Sequence, residues 1–126
     1  MSTVIVAKAL RKVVEAKTAD YTVVAADLGK IFTNRAATDV VIFTLPIVTT
    51  IQAGWFCEFF VAADFDVTVI SAGSLDDLTT FNDLTADSVK YGTATELVGG
   101  GFGFIWDGTG WLVRIYAQET QTMTVA

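Results

Sequence analysis

Apolar and polar positions along the chain alternate in short extended runs separated by turn residues. The clearest series spans residues 21–46, YTVVAADLGKIFTNRAATDVVIFTLP. Residues 21–24 are β-branched and aromatic, and 25–30 interrupt them with an aspartate and a glycine, residues that bond locally or accept left-handed backbone. An extended pattern resumes at 31–33, a polar turn fills 34–39, and 40–45 is the strongest strand signal in the chain, closed by its only proline. Three strands this close, with no helical spacing between them, predict an antiparallel β-protein.

Residues 47–52 read as a connecting edge segment. The run 55–63, WFCEFFVAA, places Trp55, Cys57, Phe59 and Val61 on one face and Phe56, Glu58 and Phe60 on the other. Both faces are largely apolar, as in a strand within a sandwich or at a subunit contact. A turn at 64–66 and a strand at 67–70 read as the return of a hairpin. Residues 75–87 predict a long polar loop carrying a short strand or turn, followed by strands at 88–91 and 95–98 around Gly92. The glycine-rich stretch 99–103 leads into 104–106, the turn Asp107-Gly108-Thr109-Gly110 and a return strand at 111–116. That turn is a strong hairpin signal and pairs Trp106 with Trp111 across the strands. About eight to ten short strands at even spacing predict an antiparallel β-sandwich, jelly-roll-like, in one domain over 18–116. Residues 1–17 read as an N-terminal arm, with Val6, Leu10, Val13 and Val14 at helical spacing but residues 3–6 equally suited to a strand. Residues 117–126 read as a polar tail able to cross to a neighbour.

Composition changes the picture in one respect. Hydrophobic residues make up 52% of the 126 and charged residues only 17%, against about 25% charged in an average soluble chain. No apolar run approaches the ~18 residues that a membrane helix needs, and a signal peptide is not expected, since apolar Val4-Ile5-Val6 precedes the basic residues. The excess therefore predicts surface buried between subunits. Charge is also unevenly placed. Residues 1–35 carry six bases, Lys8, Arg11, Lys12, Lys17, Lys30 and Arg35, against three acids, a net of +3; residues 36–126 carry two bases against eleven acids, a net of −9. A basic front on an acidic body predicts complementary docking on a neighbouring copy or another acidic surface. It argues against nucleic acid, which needs a concentrated basic patch.

Candidate chemistry is sparse. The chain has no histidine, which removes the usual general base, the histidine-dependent triads and nearly all zinc sites. Cys57 is the only cysteine; it can form no intrachain disulfide and reads as a buried, inert thiol. With no Asn-x-Ser/Thr acceptor either, a reducing cytoplasm is the expected site of synthesis. The run Gly99-Gly100-Gly101-Phe102-Gly103 lacks the Lys-Ser/Thr of a phosphate loop and reads as a bulge or close backbone approach at a symmetry axis. Asp64, Asp66, Asp76 and Asp77 lack calcium-loop spacing and read as turn aspartates. No metal and no cofactor is expected. A glycosidase would need two acids across a cleft, and Trp55, Trp106 and Trp111 read as core before they read as sugar-stacking platforms. The chain is expected not to be an enzyme.

One resemblance adds to this. The order YTV..AADLGK.FTN......V.FTLP, followed by DGTGW at 107–111, resembles small β-sandwich virion proteins of tailed bacteriophages, most of all capsid decoration (cement) proteins. It covers roughly residues 18–116, and its motifs are turns and strands, not chemistry. The resemblance implies a homotrimer on the outside of the head, made in the host cytoplasm and bridging major capsid proteins against internal pressure. On that reading Lys8, Arg11 and Lys12 contact the shell, while Phe56, Phe60 and Trp111 form the subunit contact. The alternative is a receptor- or carbohydrate-binding module of a head fibre or tail fibre. It would expose aromatics beside acids, at Asp107 and Trp111 or in the loop 76–87.

Overall fold

Alternation decides which side chains share a face, and on residues 55–61 the two predicted faces are the ones formed. Trp55, Cys57, Phe59 and Val61 are buried, while Phe56 and Phe60 remain exposed. The computed structural model describes residues 11–80, 82–91, 97–117 and 123–126. Among them the chain is all-β, without an α-helix. Its strands are β1 (Val14–Ala16), β2 (Tyr21–Thr22), β3 (Ile31–Thr33), β4 (Val41–Thr44), β5 (Phe56–Phe60), β6 (Val67–Ile70), β7 (Leu78–Thr80), β8 (Asp83–Ala86), β9 (Ser88–Tyr91), β10 (Gly101–Trp106), β11 (Trp111–Tyr116) and β12 (Met123–Val125). They form a seven-stranded sheet, β1-β3-β5-β10-β11-β7-β8, and a five-stranded sheet, β12-β9-β6-β4-β2.

The two sheets pack as a sandwich around one aromatic core. Rings from opposite sheets meet at Phe32–Phe43 (5.5 Å between centroids), Phe43–Phe59 (4.8 Å) and Tyr91–Phe102 (5.3 Å). Within the larger sheet the series continues from Phe59 to Phe104 and on to Trp111, which is fully buried against Trp55 and Trp106. Such offset and edge-on pairs hold aromatic cores beyond the area they bury.

Pairing departs from the antiparallel expectation. From β1 to β6 the chain changes sheet at every connection, so β1, β3 and β5 lie parallel in one sheet and β2, β4 and β6 parallel in the other. The first half is thus a coil of three two-strand rungs. The hairpin expected of 55–63 and 67–70 is not formed, because β5 and β6 belong to different sheets. Only the second half folds back on itself, with β10 and β11 antiparallel between β5 and β7. Mixed sheets also set the topology apart from a jelly roll, whose strands run antiparallel.

The corners explain why the chain crosses instead of reversing. Asn34, wholly buried just after β3, donates from Nδ2 to the carbonyls of Ala63 (3.3 Å) and Phe65 (3.1 Å) and accepts at Oδ1 from the amides of Ala62 (2.7 Å) and Ala63 (2.9 Å). One side chain thereby ties the β3–β4 corner to the β5–β6 corner. At the other end, Asp27 accepts from the Val24 amide (3.0 Å) and the Tyr21 hydroxyl (2.8 Å) and pairs with Lys30 (2.9 Å). This fixes the 3-10 turn Ala25–Asp27 that carries the chain from β2 to β3.

The ends differ from expectation as well. Val14–Ala16, placed in the arm, is an edge strand parallel to β3; the last residues of the tail, β12, pair with β9 of the same chain. The segment 47–52 contains a 3-10 turn, Val48–Thr50. Of the strand expected at 95–98, residues 95 and 96 lie outside the described residues, and Leu97 and Val98 are not in a strand.

Candidate functional site

The outer face of the seven-stranded sheet is built from three cross-strand rows on β5, β10 and β11. Register places Ile105 between Phe56 and Leu112, Gly103 between Glu58 and Arg114, and Gly101 between Phe60 and Tyr116. The outward phase follows from alternation: Cys57, Phe59, Phe104 and Val113 point into the sandwich, so their neighbours point out. Phe56 (42%), Phe60 (44%), Ile105 (45%), Leu112 (45%) and Tyr116 (53%) are all near half exposed. An apolar row thus flanks each side of a charged row.

Glycine shapes this surface. A methyl group added at Gly103 would lie 3.1 Å from the Tyr116 hydroxyl oxygen, so the Tyr116 ring leans across the central strand where no side chain blocks it. A hollow of about 380 Å³ opens beside β5, lined by Val14, Ile31, Glu58, Phe60 and Tyr116 among others. The glycine run is explained by Tyr91, which reaches across the sandwich from β9. Its hydroxyl accepts from the Gly101 amide (2.6 Å) and donates to the Tyr116 carbonyl (2.7 Å). A Cβ on Gly100 would sit 2.3 Å from the Tyr91 ring, and one on Gly101 2.6 Å from the Phe59 carbonyl oxygen. The close backbone approach expected of this run is present, and what approaches is Tyr91 and β5 of the same chain.

The charges are unequally satisfied. Glu58 pairs with Lys12 at 3.5 Å, with the lysine side chain 61% exposed, a pairing that contributes little in water. Arg114 is exposed and makes no ion pair among the described residues. Lys12, a candidate shell contact, therefore lies against the same strand as the candidate subunit contacts. Arg11 is exposed, and Lys8 lies outside the described residues.

Trp111 requires a correction. It shows no exposed surface and offers nothing to a partner or a sugar. The reason is parity: in Trp111–Tyr116 the charged Arg114 marks the outward phase, which Leu112 and Tyr116 share and Trp111 does not. The same parity places Phe56 and Phe60 on the outward face with Glu58. The face also includes Gly103, Ile105, Leu112, Arg114 and Tyr116, and the position of Arg114 within WLVRIY is the sequence signal for three of them. Trp55 and Trp106 are buried too, so none of the three tryptophans is a stacking platform.

Chemically, the face offers apolar side chains, one carboxylate and one guanidinium. Cys57 lies beneath it, and burial, then the Asp27 and Glu58 charges, push its thiol well above the usual range. Asp107 serves its hairpin, accepting from the Thr109 (2.7 Å) and Gly110 (2.8 Å) amides. Asp66 accepts from the Tyr91 amide (3.2 Å). Among the described residues, no three acidic, cysteine or histidine side chains are grouped to hold a metal ion. No described helix is long and apolar enough to cross a membrane. The chain matches no protein-family model and no curated protein sequence.

Proposed function

We propose that this protein is a structural subunit that works by protein–protein contact through the outer face of its larger sheet. The observation that carries the reading is the set of half-exposed side chains Phe56, Phe60, Ile105, Leu112 and Tyr116 on one sheet face. At about 150–250 Å² for a fully exposed aromatic, the three rings alone leave on the order of 300 Å² of apolar area in water, which with the two aliphatic side chains is patch size for an interaction site. An apolar surface interrupted by a few charges is the composition of an interface core.

The role proposed for that contact is the one the resemblance implies, a decoration protein on the outside of a tailed-phage head that bridges major capsid proteins. The exposed bases Arg11 and Lys12 are the groups proposed to meet the shell, by charge complementarity. The fibre-module alternative loses its aromatic platform at Asp107, because Trp111 is buried.

The test is co-sedimentation. Purified protein is mixed with heads of the phage that encodes the chain, emptied and stripped of surface proteins. Saturable retention on the heads, weakened by Arg11→Glu with Lys12→Glu, is the expected result. No retention at tens of micromolar would overturn the shell role.

A further inference from the structure

We propose that the outer face of the larger sheet pairs with the same face of a second copy, about a two-fold axis running along β10. The inference deepens the subunit-contact reading above and rests on it. Its basis is the charged row. Glu58, Gly103 and Arg114 lie on adjacent strands in register, and strands stand about 4.8 Å apart, so acid and base flank the glycine roughly 10 Å from each other.

That row is self-complementary under one operation. Turning a second sheet over about an axis parallel to β10 brings each Glu58 opposite the other copy's Arg114, twice per dimer. The same operation sets Phe56 against Leu112, Phe60 against Tyr116, and Ile105 against its own mate. An axis across the strands would instead oppose Glu58 to Glu58 and Arg114 to Arg114, which like charges forbid. Because a two-fold interface uses one patch on both copies, its residues must complement themselves, and these do. Gly103 contributes no side chain at the axis; the Tyr116 ring leans over it instead, so the tyrosines of the two copies meet there. Sheets stacked in this way lie about 10 Å apart with their side chains interdigitated.

The charges favour this occupant over an unlike partner. Glu58 has only a solvent-exposed lysine for company, and Arg114, whose planar fork suits a carboxylate, makes no ion pair among the described residues. Each acquires its counterpart from the second copy. The three-fold ring implied by the resemblance would set this face against a different surface and leave the row's complementarity unused.

Charge exchange tests the arrangement. The full chain, Glu58→Arg, Arg114→Glu and the double variant are compared by sedimentation velocity across a dilution series, with folding checked by circular dichroism. The wild type is expected to be a reversible dimer, each single reversal to weaken it by about 30-fold or more, and the double exchange to restore most of the affinity. A monomer at all dilutions, a trimer, or a double variant no better than the singles would overturn the two-fold pairing. Head binding separates this inference from the function: dimers that fail to bind heads remove the shell role alone, and monomers that bind them remove the two-fold pairing alone.

Discussion

Glu58 and Arg114 face outward from one cross-strand row, on either side of Gly103. In the monomer neither contributes much. Arg114 is exposed and unpaired by any described acid, and Glu58 meets only Lys12. Arg114→Glu is therefore expected to leave the dilute protein's unfolding free energy within about 0.5 kcal/mol of wild type. Association at high concentration should nevertheless be lost. Melting at low concentration, set beside sedimentation at high concentration, checks both halves, and a variant that loses stability and association together would mean that Arg114 supports the fold.

Asn34 is expected to be the most costly polar side chain to remove. Asn34→Ala would leave the Ala62 and Ala63 amides, on half-buried residues, without their acceptor, and each orphaned group costs about 1–3 kcal/mol where it is shielded from water. A loss of about 3 kcal/mol in total, read as a lower urea midpoint at an unchanged slope, is the expected outcome. Asn34→Asp should recover part of it, because a carboxylate still accepts from both amides but cannot donate to the Ala63 and Phe65 carbonyls.

Tyr91 and its glycines give a second pair of contrasts. Tyr91→Phe removes the oxygen that accepts from the Gly101 amide and should cost about 1–2 kcal/mol. Gly101→Ala should cost more, since its methyl would meet the Phe59 carbonyl at 2.6 Å, and backbone yields less readily than a side chain. Chemical denaturation of the two variants orders them, and the reverse order would refute this account of the glycine run.

How far the sequence revealed these features depended on what alternation encodes. It encodes faces, so residues 55–61, the Asp107 turn and the Trp106–Trp111 pair were legible. It does not encode which strand lies beside which. Alternation alone therefore predicts antiparallel strands over 21–45 and a hairpin at 55–70, where β1 to β6 form a parallel coil with corners held by Asn34 and Asp27. The candidate face is half legible: alternation groups Phe56, Glu58 and Phe60 on one face of β5, while the phase of β11 rests on Arg114, which a reading centred on Trp111 does not use. The glycine run could not reveal its partner, because Tyr91 reaches it from the opposite sheet.

The Asp27 cluster sets an acid limit. Burial alone would raise the Asp27 carboxyl, but the Val24 amide, Lys30 and Tyr21 together hold it below its ordinary value. A depressed folded value means that the stabilisation is complete above the unfolded value of about 3.9 and is lost as pH falls through the folded one. Asp27→Asn should be less stable than wild type at pH 7 by about 2 kcal/mol, with the gap closing below about pH 4. Asp66 acts in the opposite sense. Burial raises it above its ordinary value, so the stability linked to its protonated form is present in acid and lost as pH rises through the folded value. A gap between wild type and Asp27→Asn that did not change with pH would contradict the assignment.

The contact between copies can be read most directly at Ile105, which the proposed axis places beside its own mate. Cys57 is buried, so in the folded Ile105→Cys variant the introduced thiol is the accessible one. A short bifunctional thiol reagent is predicted to convert that variant largely to a covalent dimer at micromolar protein. Leu84→Cys, with Leu84 72% exposed on the edge strand β8, should give almost no covalent dimer under the same conditions. Equal and slight cross-linking at both positions would contradict the claim that this face joins two copies of the chain.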